Sequence, residues 1–286
     1  MRPAIHAFFH APTFTVSYLV ADPATRAAVV IDPVLDFDAR SGRTATTSAD
    51  AILTRAASEG LRIALILETH AHADHMTAAR HIKARSGAQV AIGAAIAQVQ
   101  GTFKEIFDLP DVVPDGSAFD RLVRDGERIA LGGLEIEVMA TPGHTPACVS
   151  YRIGDDVFVG DTLFMPDYGT ARCDFPGGDA RTLYRSIRRL LALPPTTRLW
   201  MCHDYKAPGR DAFAWETTVA EQRSRNPHVR DGIDEDAFVA LREARDAKLE
   251  MPALLLPSIQ VNVRAGAFPP PAANGVSYLK LPLNRL

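Results

Sequence analysis

The sequence predicts an α/β fold in which two β-sheets pack face to face and helices cover their outer surfaces. Short β-rich runs mix with amphipathic helical patterns along the chain. Hairpin-type turn residues separate neighbouring strands in both halves. Each cluster of unusual polar side chains directly follows an apolar strand. These three observations place the polar clusters at strand ends, where a rigid scaffold can hold them together.

The first half opens with a hairpin, because β-rich residues 16–20 and 27–31 flank the turn-forming sequence ADPATR. Residues 48–59 have apolar side chains at helical spacing and end at Gly60, which predicts a helix. Residues 62–67, RIALIL, predict a buried strand. The half continues with a helix at 76–85, a strand at 89–92, a short helix at 94–100 and an irregular stretch to Gly116.

The second half repeats this alternation. Residues 128–131 and 134–139 flank Gly132-Gly133, and strands at 148–153 and 157–159 flank Gly154-Asp155. Residues 179–191 form an amphipathic helical pattern, and residues 198–201 predict a strand. Helices are predicted at 212–223 and 235–248.

The C-terminal region is Pro-rich and irregular from Pro252 onward. Its sequence FPPPAANG is incompatible with a helix or a central strand. The alternative of a disordered tail conflicts with LLLPSIQVNV, which is too apolar to stay in water. We therefore predict a main domain at residues 1–251 and an extension at 252–286 that packs on the same domain.

Composition excludes several classes of protein. The chain has 34 acidic and 31 basic residues among 286, so it lacks the basic balance expected of a nucleic-acid-binding protein. Its three cysteines are odd in number and lack C-x-x-C spacing, which argues against a disulfide framework. No apolar run could span a membrane, and the N-terminus lacks a signal-peptide core. We expect a cytoplasmic protein, with a homodimer as the default oligomer.

The segment THAHADH, at residues 69–75, concentrates potential metal ligands directly after the RIALIL strand. It holds His70, His72, Asp74 and His75, although the chain has only nine histidines. Alternate residues of an extended stretch share a face, so His70, His72 and Asp74 can point together. Imidazole and carboxylate groups suit Zn²⁺, Fe²⁺ or Mn²⁺. Asp74 could also cap the following helix, but capping does not explain three histidines.

Three further candidates follow later strands. His144 lies in TPGHTPA, after a tight Pro-Gly turn; Asp161 lies in VFVGDTLF; His203 lies in LWMCHDY. Alone, each is more often structural than functional. Their order after H-x-H-x-D-H points to strand ends that converge on one edge, and so to a shared metal site.

This order of motifs resembles the metallo-β-lactamase superfamily over residues 14–225. The resemblance implies a four-layer αββα sandwich with a metal site at the sheet edge, so that residues 1–251 would be the catalytic domain. A dinuclear hydrolase would use all seven candidate ligands, with Asp161 bridging two metals. A mononuclear iron enzyme would use a subset, so the ligand set leaves the number of metals open.

The flanking sequences GTARCDFPGGDARTLYRSI and CHDY resemble the persulfide dioxygenase branch, which includes the ethylmalonic encephalopathy protein and bacterial sulfide-detoxification enzymes. The resemblance implies one Fe(II) per chain, bound by the residues matching His70, His144 and Asp161, with Zn as the alternative metal. It implies oxidation of glutathione persulfide by O₂ to sulfite and glutathione. The remaining candidates, which would orient the ligands and water, are His72, Asp74, His75 and His203.

The same resemblance suggests substrate contacts. Arg172 occupies the basic position of the branch and could fork onto a glutathione carboxylate; Tyr205 and Lys206 are further candidates. Two structural alternatives stay open: Arg172 could pair with Asp174, and Tyr205 could be a buried aromatic.

Other functions share parts of this pattern. A glyoxalase II-like dinuclear thioester hydrolase would use the same seven ligands, although that family has a separate helical region for glutathione that is not evident here. An RNA-processing nuclease of the same fold is disfavoured by the acidic balance. A binding module without activity is disfavoured by the complete ligand set.

Overall fold

The computed structural model describes residues 2–285. The strands are β1 (Ala4–His10), β2 (Thr15–Ala21), β3 (Ala27–Ile31), β4 (Val34–Asp38), β5 (Arg43–Ala45), β6 (Arg62–Leu67), β7 (Met76–Thr77), β8 (Gln89–Gly93), β9 (Arg121–Val123), β10 (Arg128–Leu131), β11 (Leu134–Ala140), β12 (Val149–Ile153), β13 (Asp156–Phe158), β14 (Arg198–Trp200) and β15 (Glu216–Thr218). The helices are α1 (Thr47–Ser58), α2 (Ala79–Ser86), α3 (Ile96–Phe107), α4 (Ala180–Leu191), α5 (Val219–Arg225), α6 (Glu235–Asp246) and α7 (Leu255–Asn262).

The first sheet has the strand order β1-β2-β3-β6-β8-β9. Its first three strands are antiparallel, whereas β3, β6, β8 and β9 are parallel to one another. Ile31 pairs with Leu67, so β3 and β6 end side by side. The histidine-rich loop therefore leaves this sheet at an edge where several strands end together.

The second sheet has the order β10-β11-β12-β13-β14-β15 and is antiparallel except for the pair β13 and β14. In that parallel pair Phe158 lies opposite Trp200. The segments that follow, which carry Asp161 and His203, therefore leave the sheet in the same direction. A small sheet of β5, β4 and β7 lies beside the histidine-rich loop.

Three apolar clusters separate four layers. One cluster lies between the two sheets, where Val16 and Tyr18 of β2 meet Val138 of β11. A second lies between the first sheet and α1, α2, α3 and α7, and a third between the second sheet and α4, α5 and α6. In β2, Tyr18 and Val20 face the second sheet, whereas Leu19 between them packs in the cluster under the helices. The αββα sandwich is thus confirmed.

Several predicted boundaries are wrong for identifiable reasons. Residues 212–223 are not one helix: β15 pairs with β14 at the sheet edge, and α5 begins only at Val219. Thr218 caps that helix through a reciprocal capping box with Glu221. Met76 and Thr77 pair with β4 instead of starting α2. The short helix predicted at 94–100 extends to Phe107, because Val99, Phe103 and Phe107 continue its buried face beyond Gly101.

The C-terminal region is less irregular than predicted. Residues 255–262 form α7, and Ile259 and Val261 are buried in the core that the first sheet shares with α1, α2 and α3. Residues 267–285 have no helix or strand. The division into units 1–251 and 252–286 stays a prediction, and its end residues Met1 and Leu286 lie outside the described residues. Within residues 2–285, every helix is too short or too polar to cross a bilayer.

Candidate metal centre

The loop after β6 fixes the orientation of its first histidine. Thr69 donates its hydroxyl hydrogen to Asp32, with Oγ1 2.8 Å from Oδ2. Its oxygen can then accept from Nδ1 of His70, which is 3.0 Å away. The proton of His70 therefore sits on Nδ1, and Nε2 keeps a free lone pair. His70 is 1% exposed, so these hydrogen bonds are shielded from water.

Asp32 also orients His72. Nε2 of His72 lies 3.0 Å from Oδ1 of Asp32 and 3.5 Å from Glu68. Burial opposes ionisation of Asp32, but the charge of His72 and its donated hydrogen bonds outweigh burial, so the pKa of Asp32 is lowered. Burial raises the pKa of Glu68. Burial lowers the pKa of His72, but Asp32 and Glu68 outweigh burial and hold that pKa well above its usual value. Because Nε2 donates to these carboxylates, Nδ1 is the atom that could bind a metal, after it releases its proton.

A glycine brings His144 into place. Gly143 has φ +136°, and a Cβ there would lie 2.3 Å from the Cα of Leu183 in α4. Only glycine allows the TPGHT turn to lie this close to the helix. Nδ1 of His144 donates to the main-chain oxygen of Arg172 at 2.7 Å, which leaves Nε2 free.

Asp161 lies between His70 and His144 on one side and His203 on the other. Its Oδ2 lies 3.7 Å from Nε2 of His144 and 4.0 Å from Nε2 of His70, and its Oδ1 lies 3.4 Å from Nε2 of His203. Gly160, with φ +52°, directs the chain past Thr69, whose side chain would lie 2.7 Å from an added Cβ. The structure thus brings His70, His144 and Asp161 together at one point; their role as metal ligands stays a prediction.

A second group lies beside the first and contains His72, Asp74, His75 and His203. Nε2 of His203 is 3.2 Å from Oδ2 of Asp74. Burial opposes ionisation of Asp74, but His203 and His75 outweigh it and hold the pKa of that carboxyl well below its usual value. Burial, followed by the charge of His72, lowers the pKa of His75 to about 4. Deprotonated carboxylate and neutral imidazole are the forms that bind metal.

The residues fit metal ions on two grounds. Nε2 of His70, Nδ1 of His72, Nε2 of His75 and Oδ1 of Asp161 are buried and, within residues 2–285, have no hydrogen-bond partner. Buried polar atoms without partners are costly. Two atoms that bind one ion at about 2.1 Å each lie at most about 4.2 Å apart, and the ligand distances in the first group meet this limit. The pair of groups could hold one ion or two.

Sequence analysis missed a side chain that holds this loop. Asn262, at the end of α7, is 2% exposed. Its amide donates to the main-chain oxygens of His72 at 2.8 Å and His75 at 2.7 Å, and its oxygen accepts from the N–H of Thr77 at 2.9 Å. A buried asparagine in the apolar run IQVNV was the available signal. The C-terminal region therefore supports the ligand loop directly.

A cavity of about 400 Å³ opens onto the centre, with Asp74, His144 and Asp161 at its inner end. Phe164 and Phe175 belong to its walls. The ring of Phe175 lies edge-on to His144 at 5.3 Å, and that of Phe164 lies edge-on to His203 at 6.2 Å. The metal end of the cavity is therefore surrounded by apolar rings.

The three predicted substrate contacts differ in their placement. Tyr205 lines the cavity and stacks on His203, with ring centroids 5.4 Å apart. Arg172 also lines it, but two of its nitrogens donate to Asp174 at 2.6 Å each, and a third donates to the main-chain oxygen of Glu250. Lys206 does not line it; its Nζ lies 4.2 Å from the ring centre of Phe213.

The three cysteines are free and buried. Burial raises the pKa of Cys148 and of Cys173 to about 12, and raises that of Cys202 well above its usual value. Because the thiolate is the reactive form of cysteine, these side chains stay protonated and unreactive near neutral pH.

Known proteins share this arrangement. A family model described as the metallo-beta-lactamase superfamily matches residues 10–203. A probable metallo-hydrolase of Burkholderia pseudomallei (strain 1710b) is 53% identical over 99% of this chain and 99% of its own length. A beta-lactamase hydrolase-like protein of Xylella fastidiosa (strain 9a5c) is 51% identical over 99% of this chain, which spans 65% of the length of that protein.

Similarity also extends to persulfide dioxygenases. The mitochondrial persulfide dioxygenase ETHE1 of Homo sapiens is 31% identical over 94% of this chain and 91% of its own length. The crystal structure of ETHE1 from Myxococcus xanthus matches with a TM-score of 0.74 and 33% identity, covering 92% of this chain and 100% of that chain. This chain therefore belongs to the metallo-beta-lactamase superfamily and, within it, to the branch that resembles ETHE1.

Proposed function

We propose that this protein is a persulfide dioxygenase that oxidises glutathione persulfide at one Fe(II) bound by His70, His144 and Asp161. The observation that carries the proposal is the meeting of two imidazoles and one carboxylate at the inner end of a cavity. Two histidines and one carboxylate on one face of an iron ion leave positions open for ligands. Two of the three residues line the cavity, so substrates can reach that face.

The proposed reaction converts one glutathione persulfide, one O₂ and one water into glutathione, sulfite and two protons. The sulfur–sulfur bond breaks, three oxygen atoms become attached to the outer sulfur, and O₂ accepts the four electrons that sulfur loses. Bound iron would supply the activation of O₂, which Zn²⁺, without redox chemistry, would not.

The protein contributes orientation and exclusion of water. The bonds from His70 to Thr69 and from His144 to the oxygen of Arg172 hold both Nε2 atoms toward Asp161. The rings of Phe164, Phe175 and Tyr205 form apolar walls beside the candidate ligands, which limits loss of a reactive sulfur species to bulk water. The volume of about 400 Å³ is within the usual range for a small-molecule site.

Similarity to persulfide dioxygenases supports the same proposal. ETHE1 of Homo sapiens carries the name persulfide dioxygenase, and the solved structure from Myxococcus xanthus is of an ETHE1 protein. We extend that activity to this chain, with glutathione persulfide and O₂ as its partners and the cytoplasm as its location.

A dinuclear thioester hydrolase is the second candidate. The completeness of the group formed by His72, Asp74, His75 and His203 favours it, because Asp161 lies between that group and the first. Two metals bridged in this way could activate a water for attack on a glutathione thioester. The Burkholderia relative is named a probable metallo-hydrolase, and the Xylella relative is named a beta-lactamase hydrolase-like protein.

Metal analysis combined with two activity assays tests the proposal. Protein reconstituted with known amounts of iron or zinc is assayed for O₂ consumption with glutathione persulfide and for hydrolysis of S-lactoylglutathione. We expect O₂ consumption that rises with iron to a plateau at one iron per chain. Thioester hydrolysis that needs two metals, with no O₂ consumption, would support the second candidate instead.

A further inference from the structure

We propose that Arg245 binds a carboxylate of the substrate and thereby selects thiol persulfides that carry a negative charge. This inference rests on the proposed function, since it names the substrate class of the same cavity. It assigns the anion contact to α6, a helix that the sequence motifs did not connect with the site.

Three arginines line the cavity, and two of them are already neutralised by acidic partners. Arg172 is bonded to both carboxylate oxygens of Asp174. Arg242 is 1% exposed, donates to Asp246 at 2.9 and 2.6 Å, and also donates to the main-chain oxygen of Thr170. Neither guanidinium adds an uncompensated charge to the cavity.

Arg245 differs from both. It is exposed, and across residues 2–285 its guanidinium makes no hydrogen bond and no ion pair with another side chain. Its charge acts on the cavity wall: burial raises the pKa of Tyr168, and Arg245 opposes that rise. A free guanidinium beside a partly enclosed cavity offers a planar fork for a carboxylate.

Helix geometry directs Arg245 toward the cavity. Residues three or four positions apart share a face of a helix, so Arg245 lies on the face that carries Arg242. Leu249, one turn beyond the end of α6, continues the same wall, and Pro252 and Leu254 follow it. An ion contact next to apolar groups is less screened by water than one on an open surface.

The charges at the two ends of the cavity determine how the substrate is oriented in it. Asp74 and Asp161 make the inner end acidic, although a bound metal ion would offset them. A substrate carboxylate is therefore better placed at Arg245, while the sulfur end points inward. Neutral thiol persulfides would lack this anchor.

The test compares Arg245→Ala with Lys248→Ala. Lys248 is exposed, lies one turn from Arg245, carries the same charge and does not line the cavity, so it controls for loss of surface charge. On iron-loaded protein, calorimetry gives Kd for glutathione and steady-state O₂ consumption gives KM. Kd is measured with glutathione and with its diethyl ester, and KM is measured with the persulfides of these two thiols. The diester lacks both carboxylate charges.

We expect Arg245→Ala to weaken glutathione binding and raise KM for its persulfide by about tenfold, with kcat nearly unchanged, as for loss of one charge-assisted contact. Arg245→Lys should recover part of the loss. Arg245→Ala should not affect binding of the diester. Lys248→Ala should change the Kd of either ligand by no more than about twofold.

Equal weakening of acid and diester, or the same effect from Lys248→Ala, would overturn the assignment. A wild-type protein that consumes no O₂ would refute the proposed function alone, because calorimetry with glutathione would still show whether Arg245 recognises its carboxylates. The two failures are therefore distinguishable.

Discussion

The imidazole of His144 donates its Nδ1 hydrogen to the main-chain oxygen of Arg172, at a distance of 2.7 Å. A carbonyl oxygen can only accept, so this bond fixes the tautomer and leaves a lone pair on Nε2, 3.7 Å from Asp161. The main-chain oxygen of Arg172 thus orients the imidazole of His144, a candidate metal ligand.

Removal of this ligand should abolish iron binding. We expect His144→Ala to lose most of its iron and nearly all of its O₂-consuming activity, because only two protein ligands would remain. Metal analysis of the purified variant measures the loss. His81→Ala, which removes a histidine paired with Asp50 away from the centre, should keep its iron; full metal content in His144→Ala would contradict the ligand assignment.

The second group of ligands distinguishes the two candidate functions. If one iron is bound by His70, His144 and Asp161, His203→Ala should keep about one iron per chain and lose turnover, since His203 lies only 3.4 Å from Asp161 and supports its position. Iron and zinc are quantified together on this variant. A fall from two bound metals to one would favour the dinuclear hydrolase.

Substitution of Arg172 tests whether its side chain binds substrate or stabilises the fold. Its guanidinium is bonded to Asp174 and to Glu250, so we expect Arg172→Ala to lower the melting temperature by about 2–4 °C, corresponding to roughly 1 kcal/mol. KM should change less than it does in Arg245→Ala. A large rise in KM with an unchanged melting curve would restore the substrate-binding role predicted from the sequence.

Asn262 should be needed for tight metal binding. Asn262→Asp keeps the acceptor for Thr77 but loses both donors to the loop, and we expect a loss of about 2–4 kcal/mol in stability. Cobalt(II) titration followed by absorption spectroscopy gives the metal affinity. A variant that is less stable but has wild-type cobalt affinity and spectrum would limit Asn262 to a role in folding.

His228 should make the protein sensitive to acid. It is 3% exposed, and its Nδ1 accepts a hydrogen bond from the N–H of Thr170 at 3.1 Å. Burial, followed by the charges of Arg242 and Arg245, lowers the pKa of His228 to about 4. Between pH 6.5 and 4 the unfolded chain therefore binds a proton at this site that the folded chain refuses, so stability falls as pH decreases.

The full effect of His228 would be on the order of 3 kcal/mol. It is measured by urea unfolding of metal-free protein at pH 7.5 and pH 4.5. His228→Gln should be less stable than wild type at pH 7.5 but should lose less stability on acidification. Parallel losses in both proteins would exclude His228 as a source of the pH dependence.

The candidate ligands stand out in the sequence because they lie just after apolar strands or a Pro-Gly turn. His70 and Asp161 are examples, since the strand type and the glycine that precede them are local features. Sheet pairing is not local: the sequence 212–223 has helical composition, yet β15 pairs with the edge of the second sheet. The bond between His72 and Asn262 joins residues 190 positions apart, and no local pattern specifies it.

Arg245 escaped sequence analysis for a different reason. An arginine on an amphipathic helix is usually a solvated surface residue. Its functional interest arises only because Arg172 and Arg242 are paired and because a cavity lies beside it. Such information depends on which neighbours are already bonded, and the three-dimensional structure alone provides it.

The contact from α7 to the ligand loop affects the order of events during synthesis. The loop at residues 69–75 leaves the ribosome long before Asn262, because nearly two hundred residues separate them. Asp161 and His203 also emerge in the interval, within the second sheet, whose strands all lie later in the chain than those of the first. A nascent chain therefore exposes histidines before the structure that positions them is complete, and selective metal loading is expected only after release of the C-terminal helix.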